Sequence, residues 1–297
     1  MLHRVLDDEE AAFGLPSCYR MRGTALNVDE LHRVIDDAGP LLSLAQVEHA
    51  LSQGESPPRG TVLTFDDGYR EHLDVVAPML AGRGASATFY VATGLHGDGA
   101  ALAPVDAWYW LLDHAESREA AIRLPDGRQY RGCVDTLDGK SAWVGGEPKA
   151  SFLGATGQQQ ARMLEDLAAT LECKLPADLP AQLYLRPRDW HALVGLGMRL
   201  GAHSVTHPRL TQVDDETLEY EVTGSIRELR ALASDVAFAY PDGAYDERVV
   251  QAVERAGASS SVTCEAGLVA DGAGLLCLPR VFVHPKVLED GAWKLGR

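Results

Sequence analysis

Apolar positions along the chain fall into two kinds of block, short continuous runs and longer stripes of helical period, and the two kinds alternate. Thr61-Val62-Leu63-Thr64-Phe65 follows the Pro57-Pro58-Arg59-Gly60 break and reads as a buried strand. Ala87-Thr88-Phe89-Tyr90-Val91, Met198-Arg199-Leu200-Gly201-Ala202, Val236–Tyr240, Ser260–Thr263 and Leu278–Val283 predict further strands. Leu218, Val222, Ile226, Leu229 and Leu232 step by 4, 4, 3 and 3, the stripe of one long amphipathic helix starting near Asp214. Asp189 and Asp246 are expected to cap two more helices, and Pro78 to break a helix over Glu71–Leu80. Upstream, Asn27 with Glu30 and Ser43 with Gln46 have capping-box spacing, which predicts a short helical hairpin before the first main strand.

Repeated strand-then-helix units specify a parallel α/β sheet, open or closed into a barrel. The alternation stops between Asp98 and Pro187. An aromatic helix around Trp108, a hairpin turning at Pro125-Asp126-Gly127 and a helix near Gln158–Leu175 occupy that stretch. The expected organisation is therefore a barrel over 1–97 and 188–297, with a cap-like subdomain over 98–187 inserted between the second and third core strands.

Charge narrows the function. With 27 Lys and Arg against 43 Asp and Glu, the formal charge of −16 argues against a nucleic-acid partner, since a polyanion is repelled before specific contacts form. The 46% apolar and 24% charged content suits a globular chain with a substantial core. No run approaches the ~18 apolar residues of a membrane span, and acidic residues stand where a signal peptide needs an apolar stretch. The expectation is a cytoplasmic protein without a membrane span. Five scattered cysteines without a C-x-x-C pair read as free thiols in a reducing compartment.

In parallel α/β folds, the loops leaving the strand C-termini share one rim, and catalytic side chains collect there. Asp66 and Asp67 end one predicted strand, His203 and His207 follow another, Pro241 and Asp242 end a third, and His284 follows the last. The i,i+4 spacing of His203 and His207 lets two imidazoles meet one metal, and Pro208 places them in a loop rather than a helix interior. Adjacent carboxylates repel each other, although Asp-Asp-Gly is also a common turn sequence. If one Asp joins the two histidines, the site has two imidazoles and one carboxylate, with open positions for water and a carbonyl oxygen. That set serves metal-assisted hydrolysis and iron oxygenation alike.

Thr64-Phe65-Asp66-Asp67-Gly68-Tyr69, His203-Ser204-Val205-Thr206-His207-Pro208, Phe238-Ala239-Tyr240-Pro241-Asp242-Gly243 and Leu278-Pro279-Arg280 resemble, in order, the motifs of the polysaccharide deacetylases, carbohydrate esterases with the NodB homology domain. The Leu2-His3-Arg4-Val5 opening matches as well. The resemblance covers roughly 1–97 and 188–285 and implies an irregular (β/α)7-type barrel. It implies that Asp67, His203 and His207 bind a divalent metal, usually Zn2+, and that Asp66 is the base that deprotonates the attacking water. A backbone N–H of the third motif, within Tyr240, Pro241, Asp242 and Gly243, would hold the oxyanion. His284 is the candidate acid for the leaving amine.

Two positions depart from the family pattern. Ala239 stands where many members carry an Arg that pairs with the base, and Arg280 could reach the same rim and replace it. Asp242 stands where many members carry an aromatic residue, which favours a substrate amine or hydroxyl over an anion. The implied activity is removal of an N-acyl group, most simply acetyl, from a small cytoplasmic amino sugar or sugar conjugate. Hydrolysis of a non-sugar amide or cyclic imide, or carbohydrate binding without turnover, are the alternatives, and an oligomer is compatible with the sequence.

Overall fold

Phe65, Phe89 and Phe238 lie on one face of a five-stranded parallel sheet, packed against helices, because successive residues of a strand face opposite sides. The structure is a computed structural model that describes residues 1–7, 11–95 and 102–290. The strands are β1 (Thr64–Phe65), β2 (Thr88–Val91), β3 (Arg199–Ala202), β4 (Ala237–Ala239) and β5 (Ser261–Val262), hydrogen-bonded in that order. Two further segments extend the sheet at its ends. Leu2 exchanges backbone bonds with Thr64 and Asp66 at 2.9 and 3.0 Å, beside β1, and Leu278 does so with Ser261 and Thr263 at 2.8 and 2.9 Å, beside β5. The same two segments also meet each other: Met1 N donates to Val281 O at 2.8 Å and Val283 N to Met1 O at 3.0 Å. The sheet therefore curls, as expected for the irregular barrel.

Leu218, Val222, Ile226 and Leu229 of the helix α1 (Asp215–Leu229) join Leu31, Val34, Val249 and Val253 in the layer over the outer face. Asp214, Asp246, Asn27 and Ser43 each cap their helices as the sequence predicts. Two local expectations shift. Asp189 is not the cap of its helix, Pro187–Gly195, but lies three residues inside its start, accepting from Arg186 N at 2.9 Å. The predicted strand over 61–65 splits, Thr61–Val62 pairing with Leu41–Leu42 and Thr64–Phe65 joining the main sheet.

The opposite face of the sheet carries Tyr90, Ala237, Ala239, Val262 and Leu278. Gly201 pairs with Tyr90 in register, and a Cβ on Gly201 would overlap the Tyr90 ring and press on Ala237 O at 3.0 Å. Gly201→Ala is expected to destabilise the fold by about 1–3 kcal/mol through overpacking, read from urea unfolding midpoints. A variant that also replaces Tyr90 with Leu should recover part of that loss.

The chain forms two compact units: Met1–Val5, Leu26–Ala101 and Pro180–Arg297 make one, Leu6–Ala25 and Leu102–Leu179 the other. The predicted boundary at 97/98 lies outside the described residues. Leu6–Ala25, which the sequence reading gave to the barrel, groups with the second unit. There Cys18, Tyr19 and Ala25 are buried in one cluster with Trp108, Leu111, Trp143, Phe152 and Leu167. Tyr19 Oη bonds Asp106 at 2.7 Å, and the buried Lys140 ammonium meets Asp113 at 2.8 Å and Pro16 O at 2.8 Å. The second unit also holds the predicted hairpin, Glu119–Arg123 against Gln129–Cys133. Among the described residues, no helix is long and apolar enough to cross a membrane.

Candidate active site

Strand alternation fixes which way each acid points. Phe65 faces the helices, so Thr64 and Asp66 face the inside of the curled sheet. Asp66 is 2% exposed, and Arg280 grips both its oxygens, Nη1 to Oδ1 and Nη2 to Oδ2, each at 2.7 Å. Arg280 is itself fixed by Nε to Thr263 O at 2.8 Å and Nη1 to Thr64 Oγ1 at 3.2 Å, and its guanidinium lies 5.6 Å from the centre of the Tyr90 ring. Arg280 thus makes the contact to Asp66 that the Ala239 methyl group cannot make. Burial opposes ionisation of Asp66 and is the largest single influence, but the charge of Arg280, the field of His203 and the hydrogen bonds from Arg280 together outweigh it and hold the carboxyl down at about 2.

After Asp66 the chain turns sharply, with Asp67 in the left-handed region at φ 74°. Its Oδ1 lies 3.5 Å from His203 Nε2 and 3.4 Å from His207 Nε2, and the two imidazole nitrogens are 3.2 Å apart. One ligand atom from each of the three residues lies within 4.8 Å of the others. Burial penalises the Asp67 carboxylate, yet its hydrogen bond to His203 and the charge of His207 keep it well below the usual carboxylate range. The same contact raises His203 against the effect of its own burial.

The donor set fits a small divalent cation. Three donors at roughly 2.0–2.1 Å from a tetrahedral ion stand about 3.4 Å apart, close to the three spacings observed. His203 Nδ1 donates to Ala239 O at 2.7 Å, which turns Nε2 towards Asp67 and His207, where it can bind a cation once its proton is lost.

The loop 203–207 is held from below by Glu221, a residue that sequence reasoning did not single out. Its Oε2 accepts from Val205 N and Thr206 N, both at 2.8 Å, and its Oε1 from Thr206 Oγ1 at 2.6 Å. Ser204 and His207 adopt φ 64° and 59°, and Ser204 Oγ accepts from His207 N at 3.0 Å. Such backbone costs about 1–3 kcal/mol per residue and persists only where the surroundings enforce it. Glu221 is 3% exposed and lies on the buried side of α1, one turn from Leu218. A charge inside an apolar stripe was the available signal.

The remaining predicted residues divide. The Tyr240 side chain is turned into the outer layer, where Ser261 Oγ donates to its hydroxyl at 2.9 Å and Tyr245 stacks on its ring at 5.1 Å. Only its backbone belongs to the rim. Pro241 is buried, Asp242 is exposed at φ 56°, and Gly243, at φ 64°, packs against Cys264, 2.5 Å from where a Cβ would stand. His284 accepts from Val287 N on Nδ1 at 3.4 Å and lies against Phe282. A histidine overlooked in the sequence, His3, is within the electrostatic reach of Asp67, Asp66, Arg280 and His203. Burial lowers His3 below its ordinary value, and its Nδ1 is buried without a hydrogen-bond partner.

Comparison with known proteins agrees with this fold. The family model for polysaccharide deacetylase matches residues 53–117 and 156–260. Similar solved structures include the Streptococcus pyogenes deacetylase PplD in complex with acetate, with a TM-score of 0.57 and 20% identity over 92% of this chain and 88% of that one. IcaB from Ammonifex degensii aligns with a TM-score of 0.54 and 15% identity over 98% of this chain and 93% of that one. A de-N-acetylase from Aggregatibacter actinomycetemcomitans aligns with 0.55 and 12% over 95% and 93%. Comparison with curated protein sequences gives no match.

Proposed function

Because the chain belongs to the polysaccharide deacetylase family, hydrolases acting on carbon–nitrogen bonds, we propose that it removes the acetyl group from a small N-acetylated amino sugar or sugar conjugate. The observation that carries the reading is the meeting of Asp67, His203 and His207 beside a buried Asp66–Arg280 pair, at one end of the parallel sheet. Zn2+ suits the two imidazoles and one carboxylate, and when bound there it would supply a Lewis acid that polarises the amide carbonyl and acidifies water. Asp66 takes the proton of the attacking water, and Arg280 keeps the carboxylate ionised and aimed. Backbone bonds engage Tyr240 N with Val262 O and Gly243 N with Tyr240 O, which makes the Asp242 N–H the third-motif donor for the oxyanion. The acetate held by PplD is the acid product of such a reaction, which supports acetyl as the acyl group.

The sequence points to His284 as the proton donor for the leaving amine, and we infer that His3 is the second candidate. His3 lies in the field of both acids, as the ligand candidate His203 does, and its Nδ1 has no hydrogen-bond partner, whereas His284 engages Val287 N. His3→Gln is expected to lower kcat on the order of 100-fold and His284→Gln far less, measured by acetate release. The reverse order would return the role to His284.

The function is tested by incubating zinc-loaded protein with a panel of N-acetylated mono- and disaccharides and sugar conjugates, alongside long chitin and peptidoglycan chains. Acetate release from the small substrates supports the reading. Activity confined to the long chains overturns the substrate size, and no acetate from any of them overturns the reaction. The cytoplasmic location expected from the sequence belongs to the same proposal, and cell fractionation tests it.

A further inference from the structure

Asp242 is the third-motif side chain left facing outward. It follows β4 by three residues, and the last residue of that strand, Ala239, holds His203 through its carbonyl. Asp242 therefore stands on the rim that carries the candidate metal ligands. Its side chain is 41% exposed, and its Oδ2 lies 3.6 Å from Nε of Arg209, itself 37% exposed and two residues beyond His207. That separation exceeds a direct hydrogen bond and leaves the buried Arg209 Nε without a hydrogen-bond partner, so the pair is weak. A ligand cation can compete for the carboxylate.

Resting on the deacetylase reading, we propose that Asp242 recognises a protonated amine on the substrate, the free 2-ammonium of a glucosamine unit next to the N-acetyl unit being hydrolysed. An ammonium offers three donors and a full charge to a carboxylate, where a hydroxyl offers one donor and an acetamido group one N–H. The excess of acidic residues, −16 over the chain, draws such a cation and repels an anionic sugar. The subsite distinguishes a partly deacetylated sugar from a fully acetylated one.

The test compares acetate release from N,N′-diacetylchitobiose and from the same disaccharide carrying one free amine, at a pH where that amine is protonated. Wild-type protein and Asp242→Asn are assayed side by side. Asn tolerates the left-handed backbone at this position, so the variant isolates the charge. The expected result is a wild-type preference of about tenfold in kcat/KM for the amine-bearing sugar, arising in KM, and a ratio near one in the variant. Equal ratios in the two proteins, or a wild-type preference for the diacetyl sugar, would overturn the proposal. If neither sugar releases acetate, the deacetylase reading fails first, and calorimetric titration with the fully deacetylated disaccharide still decides the role of Asp242. Tighter binding to wild type than to the variant sustains it, and equal binding removes it.

Discussion

Asp66→Asn is expected to lower kcat for amide hydrolysis by about 1,000-fold or more, the range a positioned general base contributes. The substitution should also weaken the fold, because it strips the charge from one half of a buried bidentate pair and leaves Arg280 ionised among Thr263 O, Thr64 Oγ1 and the Tyr90 ring. Removing one partner of such a pair costs about 3–5 kcal/mol. Both partners are nearly inaccessible, so solvent screening gives little relief. The acid side of the stability profile carries a second signature. The Asp66 carboxyl sits at about 2 in the folded chain, against ~4 for an unperturbed Asp. Its stabilising contribution is therefore complete above pH ~4 and is lost as the pH falls through about 2. Urea unfolding of wild type between pH 4 and 2 should show that loss, and Asp66→Asn should lack it. A variant that keeps wild-type acetate release would remove Asp66 from the role of base.

Local chemistry was legible where one segment contained the whole signal. The capping boxes at Asn27 and Ser43 and the stripe of α1 depend on residues three or four apart, and they form as the pattern indicates. Asp66, Asp67, His203 and His207 fall at strand ends for the same reason, and the parallel register of β1, β2 and β3 brings those ends together. What the pattern missed depends on contacts between distant segments or on backbone detail. Leu278–Val283 reads as a strand, yet among the described residues it makes a bridge only at Leu278. Cys277 is left-handed at φ 66° and Pro279 has no N–H to continue the ladder. His3 becomes a neighbour of Asp66 only because Leu2 pairs with Phe65. Arg280 was the reverse case. The family resemblance expects an Arg where Ala239 stands, and that departure from the motif, rather than periodicity, pointed to Arg280.

Glu221 gives the sharpest test of how the site is held, since it bonds the loop of the two histidines through Val205 and Thr206. In Glu221→Ala, Val205 N, Thr206 N and Thr206 Oγ1 each lose the acceptor they bond, in a loop where Ser204 and His207 already hold left-handed backbone. Stranding the buried Val205 N–H costs about 1–3 kcal/mol, less for the two donors of the exposed Thr206, and loss of a support behind metal-binding side chains lowers affinity by about 10–100-fold. The expected result is a lowered melting temperature together with weaker Zn2+ binding in a chelator competition. Glu221→Gln separates shape from charge. Its carbonyl oxygen can still accept from the two backbone N–H groups, while the amide NH2 must turn Thr206 Oγ1 from donor into acceptor. Gln should therefore recover most of the melting temperature and of the zinc affinity. If Ala melts early but binds zinc as tightly as wild type, Glu221 supports only the fold. If Gln fails as badly as Ala, the negative charge itself, opposite the His203–His207 loop, is what the site requires.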